Sequence, residues 1–410
     1  MLAWLSRGTP KALARTALSH NPSLEGAVGE VTSALAPMGA ADLALVFCSS
    51  SFASDLPRLL PLLRQNLRAG HWIGASGGGV VGTNAAGSPQ ELEQGPGLSV
   101  TLLRLPGAQV TPFALDPSAL PDLDGPHQPW LDAVGADPEA GGGMLLWIDP
   151  SSSGINDLLN GLDYAYPAMA KLGGLAAMHS AGHGSLLLND QVCKGAVGCV
   201  ISGSWSLEAV VAQGCRPIGP IYEIEQAQRN VLLELRQGSA LNKPFTALQE
   251  VIETLPAEDR DLLRNSLFVG LARNRFSMQP QAPEPPFLIR NLMGVDPRHG
   301  AIAVADSVRV GQRLQFQLRD ASTSRQELQQ LLARQYERQP QPLMALAFAC
   351  LGRGEGLYGA PHVDVQLCRE LFSEVPIAGL FCNGEIGPVD GATQLHGYTA
   401  CWGFLVPTTT

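Results

Sequence analysis

Three stretches of this 410-residue chain carry the same plan, and that recurrence limits the fold more than any single motif does. Each reads as an apolar strand, a helix, a second strand running into glycines, and a further strand. The first joins Leu43–Phe47, a helix over Leu56–Leu67, His71–Gly82 and Leu98–Leu103. The second joins Met144–Ile148, a helix over Ile155–Ala170, Gly174–Gly182 and Gly195–Ile201. The third joins Leu343–Cys350, a helix over Asp364–Phe372, Ile377–Gly387 and Tyr398–Leu405. Gly74 and Gly82, Gly174 and Gly182, and Gly379 and Gly387 are each eight apart, and Gly79 corresponds to Gly384. A strand–helix–strand step makes a right-handed parallel crossover, and a strand returning through a glycine turn runs antiparallel. The plan predicts an α/β protein, with mixed α+β as the alternative. Its repeated β-α-β-β units form mixed sheets covered by helices, and residues 43–103, 144–201 and 343–405 are expected to superpose.

The connecting stretches differ from the repeats. Residues 106–143 read as a Pro/Asp/Gly-rich insertion. Ile221–Gln237 and Thr246–Glu253 read as helices at a 3.6 period, and Met278–Pro286 as a Pro-rich connection. Strands follow at Phe287–Leu292, Ala301–Ala305 and Arg313–Leu318, and Asp320 caps a helix reaching about Glu337. Gly219-Pro220 punctuates the chain, so two domains are expected, 16–225 and 226–406. Residues 1–15 carry Arg7, Lys11 and Arg15 without an acid and read as a leader or first amphipathic helix.

Composition excludes whole classes. The chain is 45% hydrophobic and 16% charged, which suits a large buried core rather than disorder. Its net charge of −10, with no basic run, argues against non-specific binding to nucleic acid or an anionic membrane. No apolar run approaches a membrane span. The eight cysteines form no C-x-x-C pair, which argues against a zinc ribbon or thioredoxin motif. Cys48, Cys350 and Cys382 sit in apolar runs, as buried thiols do. A reduced cytoplasmic protein is expected.

Several motifs fail on context. Gly74-Ala-Ser76-Gly-Gly78 matches the nucleophile-elbow spacing, yet the glycines that follow Ser76 open no helix. Gly77-x-Gly79-x-x-Gly82 and Gly354-x-Gly356-x-x-Gly359 match a dinucleotide fingerprint without its strand-to-helix setting. Backbone N–H groups of Ser76, Gly77, Gly78 and Gly79 remain able to cradle a small anion. His179 and His183 have zinc-helix spacing inside a glycine-rich loop, and read as locally bonded loop histidines. Cys382 and His396 are a candidate catalytic pair, with an inert buried thiol as the alternative. Arg353 and Glu385 each follow the carboxyl end of a strand among glycines, where α/β proteins place ligands. One cation and one anion there suit a zwitterion, with Asn383 and Arg319 nearby. The alternative is an Arg–Glu pair that ties two loops.

His71–Gly82 with Glu91–Ser99 resembles the N-terminal FIST domain, the name standing for F-box and intracellular signal transduction. Phe287–Pro297, Gly311–Asp320, the Leu351-Gly-Arg-Gly run and Phe381–Pro388 resemble its C-terminal domain. The resemblance covers roughly residues 16–406. It implies a sensory module for a small ligand, an amino acid or small organic acid, without cofactor or metal. No receiver, kinase, cyclase or F-box segment is legible, so an output would be a separate partner protein. Two other functions stay open. One is a hydrolase using Ser76 or Cys382, the other a docking scaffold without ligand.

Overall fold

The computed structural model describes residues 11–272 and 287–408. The Pro-rich connection at Met278–Pro286 lies outside them, as do residues 1–10. The chain forms two compact units that do not follow chain order. The first takes the chain up to Val211, then Gln329–Pro388 and Ala392 onward; the second takes Ala212–Leu328 with Val389–Gly391. The expected boundary near 225 falls inside a strand.

In chain order the first unit opens with β1 (Leu13–Ser19), α1 (Leu24–Leu35), β2 (Ala40–Ser49), α2 (Leu56–Asn66), β3 (Arg68–Gly77), β4 (Gly79–Thr83), β5 (Pro89–Leu92), β6 (Leu98–Arg104) and β7 (Ala108–Leu115). It continues with α3 (Gln128–Val134), β8 (Gly143–Ile148), α4 (Ile155–Ala165), β9 (Ala170–Leu175), β10 (Leu186–Leu188), β11 (Gln191–Cys193), β12 (Ala196–Gly203) and β13 (Trp205–Ala212). The second unit holds β14 (Cys215–Gln228), β15 (Val231–Gln237), β16 (Ala240–Asn242), α5 (Pro244–Thr254), α6 (Ala257–Ser266), β17 (Leu267–Ala272), β18 (Phe287–Asp296), β19 (Ala301–Val304) and β20 (Arg313–Arg319). Helix α7 (Ala321–Arg338), capped by the Asp320 carboxylate accepting from Thr323 N at 2.7 Å, leads back to the first. There β21 (Met344–Cys350), α8 (Glu355–Tyr358), α9 (Val363–Leu371), β22 (Ile377–Cys382), β23 (Glu385–Val389), β24 (Ala392–His396) and β25 (Ala400–Pro407) finish the chain.

Two expectations at the sequence level are corrected. Leu13–Ser19 is an antiparallel partner of β6, so the leader-or-helix reading does not hold for those residues. Ile221–Gln237 is a hairpin rather than a helix. Tyr222 and Ile224 are buried while Glu223 and Glu225 are half-buried, an alternation of period two. Pairing to β20 selects it, and Arg229 at φ 56° closes the two-residue turn. The 106–143 insertion also supplies a full strand, β7, along β12.

Three six-stranded sheets make up the first unit, and they share one strand order. The orders are β1-β6-β2-β3-β10-β11, β7-β12-β8-β9-β23-β24 and β13-β25-β21-β22-β4-β5. In each, the strands before and after the helix pair in parallel, and the last strand of the segment returns antiparallel. The hairpin of each segment joins another segment's sheet: β4-β5 extends the third, β10-β11 the first and β23-β24 the second.

The central strands are apolar on both faces, as parallel strands between two layers must be. One face of each sheet meets a common interior. There Phe47, Trp147 and Phe348, one from each central strand, stand with ring centroids 5.4, 5.8 and 6.1 Å apart. The other faces take helices. Leu56, Leu59, Leu60 and Leu63 of α2 bury their helical stripe on the first sheet. Leu158, Leu159 and Leu162 of α4 do so on the second. In the second unit, Ile224, Leu235, Leu248, Val269, Ile302 and Phe316 form a separate core.

Candidate functional site

Gly74, Gly173 and Gly379 fix how closely the parallel strands approach. A Cβ on any of them would lie 1.7 to 1.8 Å from a backbone oxygen, that of Val46, Leu146 or Ala347. The equivalent glycine of the second segment is therefore Gly173, not the expected Gly174. Gly79 and Gly384 hold the same register, each two residues before the residue paired with the close-approach glycine of the neighbouring strand. In the second segment Ser185 stands at that place, after an insertion of residues 178–184. Gly182 lies in this insertion, so its eight-residue spacing is accidental.

Just past these glycines the three segments interlock through their backbones. Ala177 N donates to Ser76 O at 2.8 Å, Asn383 N to Leu175 O at 3.1 Å, and Gly78 N to Phe381 O at 2.9 Å. Acceptor and donor sit two and four residues beyond the close-approach glycine each time, so the bonds close a cycle. This junction lies at the carboxyl ends of the parallel strands, where α/β sheets bind ligands.

Seven of the eight expected site residues come to this end: Ser76, Gly77, Gly78, Gly79, Arg353, Asn383 and Glu385. Gly77 packs on Leu380 and the Phe381 carbonyl, and Gly78 on the Leu351 side chain. Arg319 is on β20 in the second unit, opposite Cys215. Glu385 stands out by comparison across segments. Its strand position is filled by Val80 and Leu186 in the others, both interior. The buried Glu385 carboxylate accepts from Thr399 N at 3.1 Å. Burial and then Glu385 push the Cys382 and Cys401 thiols up, while Arg353 pulls Cys401 down. Asn383 is exposed, with Nδ2 donating to Ala176 O at 3.2 Å.

Arg353 is fully buried, and its surroundings bring in residues that the sequence reading missed. Nε donates to Asp364 Oδ2 at 2.8 Å, and Nη2 to Asp364 Oδ1 at 3.1 Å and to Tyr358 Oη at 2.6 Å. Tyr358 in turn donates to Asp364 Oδ1 at 2.7 Å. Two glutamates of the β4–β5 hairpin region reach this helical turn. Glu91 Oε1 accepts from Val365 N at 3.2 Å, in the first turn of α9, and Glu93 Oε1 accepts from Glu355 N at 2.8 Å. The only signal for them was an acid pair within an apolar strand context. Burial, then the carboxylates of Asp364 and Glu93, raise Glu91 well above 4.5. The folded protein therefore binds this proton more tightly than the unfolded chain, and the stability it contributes is lost as pH rises above about 4.5. Glu91→Gln keeps the bond to Val365 and removes the titration. Its stability relative to wild type is expected to grow from pH 5 to pH 8 in urea melts; a constant difference would contradict this.

The remaining motifs are ordinary. His179 Nδ1 accepts from Ala181 N at 3.2 Å and His183 Nδ1 lies 2.9 Å from Gly184 O. Among the described residues no acid, His and Cys cluster could hold a metal. Gly77–Gly82 runs from the end of β3 through a bend at Gly78 into β4, and Gly354–Gly359 surrounds the four-residue α8. Ser76 Oγ is buried without a hydrogen-bond partner, so no base reaches it. Cys382 and His396 bond to different backbone carbonyls, those of Leu380 and Gly387.

None of the eight cysteines, all among the described residues, is in a disulfide. Burial raises Cys48 and Cys199 to about 12 and moves Cys368 in the same direction. A thiol reagent is expected to label at most Cys193, Cys215 and Cys350 in native protein, and all eight after denaturation. Fast native labelling of Cys382 would contradict that assignment.

No helix among the described residues is long and apolar enough to cross a membrane. The FIST N domain matches residues 42–237 and the FIST C domain residues 245–388. An uncharacterized protein of Mycobacterium tuberculosis strain H37Rv is 31% identical over 376 residues, covering 90% of this chain and 92% of that one. An uncharacterized protein of Mycobacterium bovis is 34% identical over 265 residues, covering 64% and 67%. Among solved structures, a cyanuric acid hydrolase aligns over 97% of this chain and 100% of its own, at 9% identity and a TM-score of 0.31. With both domain models matched in order over most of its length, the chain belongs to the FIST family.

Proposed function

We propose that this chain is a sensory protein that binds a small ligand, an amino acid or small organic acid, and acts through a separate output protein. The observation that carries the reading is the convergence of Ser76–Gly79, Arg353, Asn383 and Glu385 at one junction of strand ends. Glu385 places a carboxylate where related strands carry Val80 and Leu186. Arg353 holds Asp364, so it orients the turn, and the exposed side chains at this end are Asn383 and Leu351. Binding is favoured over hydrolysis because Ser76 lacks a base and the Cys382 thiol is held protonated. The lack of a C-x-x-C pair in the sequence suits a reducing compartment, the cytoplasm. The reading also takes the three segments as versions of one unit, and superposition on Gly74, Gly173 and Gly379 is expected to align their strands.

A thermal-shift screen of amino acids and small organic acids tests it, using wild type, Asn383→Ala and Gly78→Ala. At about 100 times its dissociation constant a ligand stabilises by roughly 2.7 kcal/mol, which raises the melting temperature by a few degrees. The shift should vanish in both variants. If no compound shifts wild type, or the shift survives both substitutions, the site assignment fails.

A further inference from the structure

A second place in the first unit has the features of a ligand site and lies outside the junction described above. It is a cavity of about 340 Å³ lined by β1, the end of α1, the Thr83–Pro89 turn and the segment from Arg369 to Pro376. That volume is at the lower end for small-molecule sites. Its charged lining residues are Arg15, Arg369 and Glu374. The wall is therefore net positive, in a chain of net charge −10. Thr16, also in the wall, carries a buried Oγ1 with no hydrogen-bond partner, and so does its cross-strand neighbour Thr101. That hydroxyl is shut off from the cavity, on the sheet face opposite Arg15. Both arginines are exposed. Arg369 holds only a loose tie through Nη1 to Ser88 Oγ at 3.0 Å, in the last turn of α9. Their guanidinium groups can turn to an oxyanion and bind it through paired hydrogen bonds.

Another cavity, of about 320 Å³, offers a contrast. Its Arg104 donates to the Met38 and Ala40 carbonyls, and its Asp42 accepts from Leu105 N. Those charges are already used on backbone.

We propose that the Arg15–Arg369 cavity binds a small oxyanion, a carboxylate or phosphate head group. Specificity follows from the lining. Two cations hold the head, and Glu374 disfavours ligands carrying further negative charge on that side.

Isothermal titration with inorganic phosphate and, separately, malonate tests this on the full chain, with chloride matched for ionic strength. Saturable binding of either anion is expected, weakened at least tenfold by Arg15→Ala and by Arg369→Ala. These surface arginine variants should melt like wild type, and Asn383→Ala should leave the binding intact, which separates this site from the junction. Phosphate binding without malonate binding would identify a phosphate head, and the reverse a carboxylate. No saturable binding, equal heats with chloride, or affinity unchanged in both arginine variants would overturn the proposal.

Discussion

Replacing Gly173 with alanine is expected to prevent folding or to cost more than about 4 kcal/mol, and Gly74→Ala and Gly379→Ala are expected to do the same. The cause is backbone against backbone. The added Cβ would stand 1.8 Å from Leu146 O in the first case, and equally close to Val46 O and Ala347 O in the others. A carbonyl in a parallel ladder cannot swing away as a side-chain tip can. Relief requires β8 and β9 to separate, which breaks their ladder and moves Trp147 out of its contact with Phe47 and Phe348. Gly173 adds backbone strain, since its φ is +152°. Gly29→Ala is the control: that residue is in α1, exposed, with open space where its Cβ would go. It should stabilise by about 0.5 to 1 kcal/mol through helix propensity. Urea unfolding of the soluble variants measures both effects. A Gly173→Ala protein with the wild-type midpoint would show that the parallel pair can open cheaply, and the close-approach argument would fall.

Those glycines also mark how far the sequence could be read. Gly74 with Gly379, and Gly79 with Gly384, were legible because no residue is inserted between them in either segment. The second segment misled by one position, since residues 178–184 are extra and Gly182 happened to restore the spacing. The strand–helix–strand order was legible from local pattern. The destination of the hairpins was not. Val80 pairs with Leu380, three hundred residues away in sequence, and nothing within Gly79–Leu92 names that partner. The hairpin at 221–237 was misread because its apolar residues satisfy a helical period as well as an alternating one. Only β20 beside it decides. At the site, Arg353 and Glu385 stood out as charges among glycines. Asp364, Tyr358 and Glu91 did not, because a carboxylate or phenol at the start of a helix or on a short strand usually faces water.

Asp364 is the residue that most changes the reading of Arg353. With the guanidinium fully buried and bonded twice to Asp364, Arg353→Ala should cost about 3 to 5 kcal/mol without any ligand, as does leaving one member of a buried pair alone. Asp364→Ala should cost about as much. The double variant Arg353→Ala/Asp364→Ala should cost well under the sum, because neither charge is then stranded, and the cycle should return a coupling of about 2 kcal/mol or more. Tyr358→Phe should cost less, about 1 to 3 kcal/mol, since it removes one hydroxyl that both accepts from Nη2 and donates to Oδ1. Denaturant melts of the four proteins decide the matter. Additive losses, or an Arg353→Ala protein as stable as wild type, would mean that the guanidinium finds other partners and is free to meet a ligand. If the coupling is large, a lost ligand response in Arg353→Ala reports a disordered turn rather than a missing contact. The ligand question then has to be put to Asn383, which is exposed and can be truncated while the Arg353–Asp364 pair still holds the turn in place.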